Sequence, residues 1–164
     1  AAFSVAAAMG GAVETTSVDL AKRSRELSTA HFEANGFSMG NHRLVVMDVF
    51  DYFKYAKKKG LSYDLIVIDP PSFARNKKRT FSANKDYHKL IAQSLDILSE
   101  HGTIIASTNA ANMTVQQFKK QLRKGLGDVS ADFVNLQQLP ADFTVNPNDP
   151  TSNYLKVYTI KVNK

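Results

Sequence analysis

Short apolar, β-branched runs alternate along this chain with stretches whose apolar positions recur every three to four residues. The sharpest run is Leu65-Ile66-Val67-Ile68. It leaves no room for polar alternation, which is the pattern of a strand buried on both faces, as in a parallel sheet. The sharpest helical stripe is Tyr87, Leu90, Ile91, Ser94, Leu95 and Leu98, and it predicts a helix ending at His101-Gly102. Thr114 and Gln117 stand at capping-box spacing and open a helix with Val115, Phe118 and Leu122 on one face. Around these, the pattern predicts a short helix over 3–9 stopped by Gly10-Gly11 and a strand over 14–18 leading to Asp19. A helix over 20–35 follows, with Gly36 in the stop position. Next come a strand over 44–47 ending at Asp48 and a helix over 49–59 with Gly60 beyond it. A strand over 103–107 follows the long stripe. Two late strands, over 133–138 and 154–162, have no helix between them, only the polar, Pro/Asn/Asp-rich segment 139–153.

Strand and helix alternate until that final pair, which argues for a doubly wound α/β sheet, mostly parallel with an antiparallel closing strand pair. No repeat or low-complexity linker appears, so 1–164 reads as a single domain. The chain opens on a helix where this architecture places a strand. The expectation is therefore an amino-terminally truncated domain whose first, central strand lies before Ala1. Its sheet would have a gap beside the Asp69 strand, leaving it partly destabilised or filled by self-association or by another chain.

Composition narrows the chemistry. The chain has 164 residues, enough for one core. No apolar run approaches the ~20 residues of a membrane span, and the apolar start lacks the basic leader of a signal peptide. The default location is therefore cytoplasmic. Zero cysteines exclude disulfides, thiolate metal sites and cysteine nucleophiles. His31, His42, His88 and His101 show no metal-ligand spacing, so no metal is expected. The net charge of +6 and pI near 9.5 suit a polyanionic partner, although they suit a merely basic soluble protein equally well. The basic residues bunch between Lys54 and Lys59, Arg75 and Arg79, and Lys119 and Lys124.

Candidate function gathers at strand ends. In open α/β sheets ligands bind beyond the carboxyl ends of the strands, and three successive predicted strands end in Asp19, Asp48 and Asp69. Asp19 and Asp48 also precede helices, where an aspartate cap is worth roughly 1 kcal/mol. Asp69 is less open to that explanation. Pro70 and Pro71 stiffen the chain after it into an extended exit from the sheet. Phe73 and the cations Arg75, Lys77, Lys78 and Arg79 come immediately after. A carboxylate, fixed carbonyls, an aromatic ring and a cationic loop are what a site acting on a nucleobase would need. Phe73 could stack on a base or fill the core; the four cations could meet phosphates or only solvent. Asn109, after the 103–107 strand, could bond a base edge or cap a turn.

The residues Asp69-Pro70-Pro71-Ser72-Phe73-Ala74-Arg75 with Lys77-Lys78, Ser17-Val18-Asp19, Asp48-Val49-Phe50 and Asn153-Tyr154-Leu155-Lys156 resemble class I S-adenosylmethionine-dependent methyltransferases. Within that class the chain is similar, over essentially its whole length, to the catalytic domain of bacterial large-subunit rRNA methyltransferases. The resemblance implies a Rossmann-like methyltransferase fold, S-adenosylmethionine as cofactor and RNA, specifically rRNA, as partner. It also implies that Asp19 holds the cofactor ribose with Leu20 packing on adenine. Asp48 would accept from the adenine amino group with Val49 beside it, and Phe3 and Ser4 would follow a glycine-rich cofactor loop. Asp69 would face both the cofactor's reacting end and the acceptor base, with Pro70, Pro71, Phe73 and Asn109 around it. Ser72 departs from the amino-methyltransferase motif, whose aromatic directly follows the second proline. Some relatives methylate cytosine carbon 5 through a cysteine; this chain has none, which leaves a nitrogen acceptor. A non-catalytic RNA-binding module of the same fold is the competing reading. A nicotinamide oxidoreductase would leave Asp-Pro-Pro unexplained.

Overall fold

The computed structural model describes residues 1–76 and 79–164. The chain divides into two compact units, Ala1–Lys58 and Lys59–Lys164. The first contains α1 (Ala2–Met9), β1 (Thr15–Asp19), α2 (Ser24–Ala34), β2 (His42–Val46) and α3 (Val49–Lys58). The strands β1 and β2 are parallel neighbours, with Asp19 opposite Val46. Their core forms around Phe32, which is fully buried and stacks on the His42 ring at 4.6 Å. His42 also meets the Thr15 hydroxyl at 3.0 Å, so this histidine is a packed core residue.

The helix expected over 20–35 begins four residues later. The Asp19 carboxylate takes the Ala21 N–H and the Ser24 hydroxyl, which holds the intervening chain in a turn until Ser24. Its other end is as expected: Gly36 has φ 77°, a left-handed conformation that glycine adopts without steric cost.

The second unit contains β3 (Tyr63–Ile68), β4 (Phe73–Arg75), β5 (Thr80–Ser82), α4 (Ala83–Leu95), β6 (Leu98–Thr108), α5 (Val115–Leu126), β7 (Ser130–Gln137) and β8 (Lys156–Asn163). Four of its strands form one sheet in the order β3-β6-β8-β7, and β4 and β5 form a separate hairpin. The β3–β6 pair is parallel, while β6–β8 and β7–β8 are antiparallel, so the expected antiparallel closing pair is present. The core lies between this sheet and the helices α4 and α5, where Tyr87, Leu90, Ile91, Phe118, Leu122, Ile104 and Ile160 are buried. Thr114 closes the capping box with Gln117 as its spacing predicts.

The structure departs from the sequence pattern at two further points. The Leu65–Ile68 run is not buried on both faces: Leu65 is 44% exposed and only Ile68 is fully enclosed. Among the described residues β3 is the end strand of its sheet and pairs with β6 alone. The α4 stripe also stops at Leu95, short of His101-Gly102. The N–H groups of Asp96 and Ile97 bond back three residues and tighten the last turn, and Leu98 is buried instead as the first residue of β6, opposite Tyr63. No helix among the described residues is long and apolar enough to cross a membrane.

Candidate functional site

Each unit carries one set of candidate residues, at the carboxyl ends of its parallel strands. In the first unit, β1 ends at the exposed Asp19, and the Met47 N–H bonds to the Asp19 carbonyl at 3.0 Å. Asp48 follows directly, so the two carboxylates project from the ends of neighbouring strands. The Asp19 side chain is set by the Ala21 N–H at 2.8 Å and the Ser24 hydroxyl at 2.6 Å. Burial opposes ionisation, but these bonds and the Arg23 charge outweigh it and hold the carboxyl below the usual 3.8. Each oxygen retains a lone pair for a further donor. Leu20 and Phe3 are 52% and 56% exposed, leaving apolar surface beside the acidic strand ends. Ser4 is tied to Ser17 at 2.7 Å, which docks the start of α1 on β1. Asp48 accepts from the Phe50 N–H at 3.0 Å, so the capping role is real there, and Val49 beside it is half-buried. Carboxyl acceptors beside apolar side chains could hold a ribose and an adenine ring.

In the second unit, Asp69 leaves the end of β3 exposed, and its carboxylate makes no hydrogen bond among the described residues. The strand ends beneath it are pinned by Tyr87. This fully buried side chain aims its hydroxyl at the Ile68 and Ser107 carbonyls, 2.8 Å from each. Burial, with the Asp69 charge as a second contribution, raises the phenol well above its usual 10.0, so it remains a donor.

Beyond Pro70 and Pro71, the chain forms a hairpin that sequence patterning missed, because β4 and β5 have three residues each. Its tip is closed by the Asn76 N–H on the Arg79 carbonyl at 2.9 Å and the Arg79 N–H on the Asn76 side chain at 2.8 Å. Lys77 and Lys78, read above as phosphate contacts, lie outside the described residues. Phe73 and Arg75 are two apart on β4 and share a face, and both are exposed, Phe73 by 63%. Phe73 is therefore no core aromatic. A ring and a guanidinium on one face of a ribbon form a surface able to stack a base and meet its phosphate.

Asn109 stands exposed just past the end of β6, and its side-chain oxygen accepts from the Ser72 hydroxyl at 2.9 Å. The strand end beside it is held by Lys156, which is opposite Thr108 and only 3% exposed. The Lys156 ammonium donates to the Ala110 and Tyr154 carbonyls, each at 2.8 Å, and burial lowers its pKa below 10.5. The sequence did carry a signal for Lys156: it falls in the inward phase of β8, with Tyr158, Ile160 and Val162. Nothing local in the sequence announces the Tyr87 bridge.

Residues 1–157 match the sequence profile of the S-adenosylmethionine-dependent methyltransferase family. The chain belongs to that family. Among similar proteins, YwbD of Bacillus subtilis (strain 168), whose name marks it as a candidate ribosomal RNA large subunit methyltransferase, is 45% identical over 98% of this chain and 41% of its own length. Ribosomal RNA large subunit methyltransferase K of Neisseria meningitidis serogroup B is 33% identical over 86% of this chain and 39% of its own. A crystal structure of a candidate methyltransferase complexed with SAH is 72% identical, with a TM-score of 0.95, over 98% of this chain and 42% of that one. The chain thus spans about two fifths of the length of the proteins it matches. The doubly wound α/β fold expected from the strand and helix order, Rossmann-like by the resemblance, is that of this crystal structure.

Proposed function

We propose that this methyltransferase chain carries the chemistry for methylating a base of large-subunit rRNA on a nitrogen atom. The observation that carries this reading is the Asp69 carboxylate: exposed, without a hydrogen-bond donor among the described residues, and fixed at the end of β3 by the Tyr87 bridge and two prolines. Bound S-adenosylmethionine supplies a methyl group on a sulfonium, already activated for in-line displacement. What the chain must add is alignment of the attacking atom. Asp69 and the Pro70 carbonyl accept N–H bonds from the base and bring its nitrogen to the geometry of attack. Phe73 stacks on the base, a contact worth about 1–3 kcal/mol. Arg75 and Arg79, with Lys77 and Lys78, meet phosphates. In the first unit Asp19 takes the ribose hydroxyls, Asp48 the adenine amino group, and Leu20, Val49, Phe3 and Ser4 complete the cofactor's surroundings. The absence of cysteine leaves no route to cytosine carbon 5 through a thiolate adduct.

Two measurements test the proposal with the full-length protein. Calorimetry with S-adenosylhomocysteine should show binding that weakens by more than tenfold in Asp19→Ala and in Asp48→Ala. Labelled methyl should pass from the cofactor into large-subunit rRNA, and nucleoside mass spectrometry should place it on a nitrogen. RNA binding without methyl transfer would replace this reading with that of a non-catalytic RNA-binding module.

A further inference from the structure

Ser72 separates Phe73 from the second proline, and the reaction proposed above leaves it without a role. Its surroundings supply one. The Ser72 carbonyl accepts from the Ala83 N–H at 3.0 Å, which anchors its backbone where the β4–β5 hairpin meets α4. Its hydroxyl donates to Oδ1 of Asn109 at 2.9 Å, across from the end of β3 to the end of β6. With Oδ1 engaged, Nδ2 is the end of the Asn109 amide directed away from Ser72. Asn109 thus presents N–H donors where a freely turning amide would present either end. Its backbone is equally constrained: the Ala110 N–H returns to the Thr108 hydroxyl at 3.3 Å, and the Lys156 ammonium holds the Ala110 carbonyl at 2.8 Å.

We propose that Ser72 is a positioning residue that sets Asn109 as a hydrogen-bond donor to the acceptor base. The proposal rests on the reading of the Asp69 strand end as the base site. Asp69 offers acceptors, and Asn109, with Oδ1 turned to Ser72, directs its two N–H donors the other way. The base edge that satisfies both presents an N–H beside a carbonyl oxygen or an unprotonated ring nitrogen. The departure from the amino-methyltransferase spacing then has a purpose: the extra residue after the second proline is the one that reaches Asn109.

The test uses the full-length protein, labelled S-adenosylmethionine and in vitro transcribed large-subunit rRNA. Ser72→Ala should lower kcat/KM for the rRNA by about three- to tenfold, the range of one hydrogen bond. S-adenosylhomocysteine affinity and the melting temperature should not change. Ser72→Thr keeps the hydroxyl and should restore the rate. The double variant Ser72→Ala/Asn109→Ala should be no slower than Asn109→Ala alone. Asn109→Asp replaces the outward donor with an acceptor while keeping the Ser72 bond, and it should be no more active than Asn109→Ala. Wild-type rates in Ser72→Ala, failure of Ser72→Thr to rescue, or Asn109→Asp exceeding Asn109→Ala would each overturn the proposal. A wild-type protein that transfers no methyl to rRNA would instead bring down the underlying functional reading, and this one with it.

Discussion

Replacing Tyr87 with phenylalanine removes one oxygen from the centre of the second unit and leaves the packing almost intact. The ring is fully buried and meets Phe118 edge-on, with centroids 4.9 Å apart, a contact that phenylalanine repeats. What disappears is the donor between the Ile68 and Ser107 carbonyls, 2.8 Å from each. Taking a partner from buried carbonyls costs about 1–3 kcal/mol, whereas conserving the ring volume avoids the cavity cost of a truncation. For a chain of this size that loss lowers the melting temperature by roughly 2–4 °C per kcal/mol. Urea unfolding followed by far-ultraviolet circular dichroism, with calorimetric melting, measures both. The bridged carbonyls belong to the residue before Asp69 and to the residue two before Asn109. Methyl transfer at a temperature well below the transition should therefore fall by more than the unfolded fraction explains. A Tyr87→Phe variant as stable and as active as wild type would refute the bridge. A loss as large as that of Tyr87→Ala would contradict the separate packing contribution assigned here to the buried ring.

Other substitutions address packing and charge. Gly125→Ala places a Cβ 2.5 Å from the Ile91 side chain and 2.6 Å from the His88 carbonyl, so α5 must move off α4. The expected loss of about 1–3 kcal/mol in urea unfolding outweighs the ~1 kcal/mol helix preference of alanine. The Asp86 carboxyl is held below 3.8 because bonds from the Lys89 ammonium and the Ser82 N–H outweigh the opposing effect of burial. The stability it contributes is present above pH 3.8 and is lost as pH falls through the lower folded value. The gap between wild type and Asp86→Asn in acid unfolding should close over that window; a gap independent of pH would contradict it. Lys156 runs the other way. Burial puts its folded pKa below the 10.5 of the unfolded chain, so the unfolded state binds more protons between the two. Wild type should therefore gain stability relative to Lys156→Met as pH rises towards 10.5, and parallel curves would refute it.

What the sequence made legible, and what it did not, follows from how far each interaction reaches along the chain. The capping box at Thr114 and Gln117 and the glycine stop at Gly36 are set within a few residues, and the structure reproduces both. At the start of α2 the pattern favours helix from Leu20, whereas the Asp19 carboxylate diverts the backbone until Ser24. The exposure of Leu65 was illegible for a different reason. Apolar character records the surroundings a strand is suited to, and what packs on its faces decides which side chains are covered. At the candidate site, the three aspartates could be found because each ends a strand. The long-range bonds that fix the ends of β3 and β6 could not, although the period of β8 turns Lys156 inward. Tyr87 reaches carbonyls 19 and 20 residues away, Ser72 reaches an amide 37 residues away, and Lys156 reaches a carbonyl 46 residues away. Each carries an ordinary local explanation: a core aromatic in a helical stripe, an interruption in a motif, a lysine in a strand. The Asp-Pro-Pro-Ser-Phe segment is thus read twice. Its carboxylate and prolines mark the strand end from sequence alone, whereas Ser72 acquires its meaning only when the fold brings Asn109 beside it.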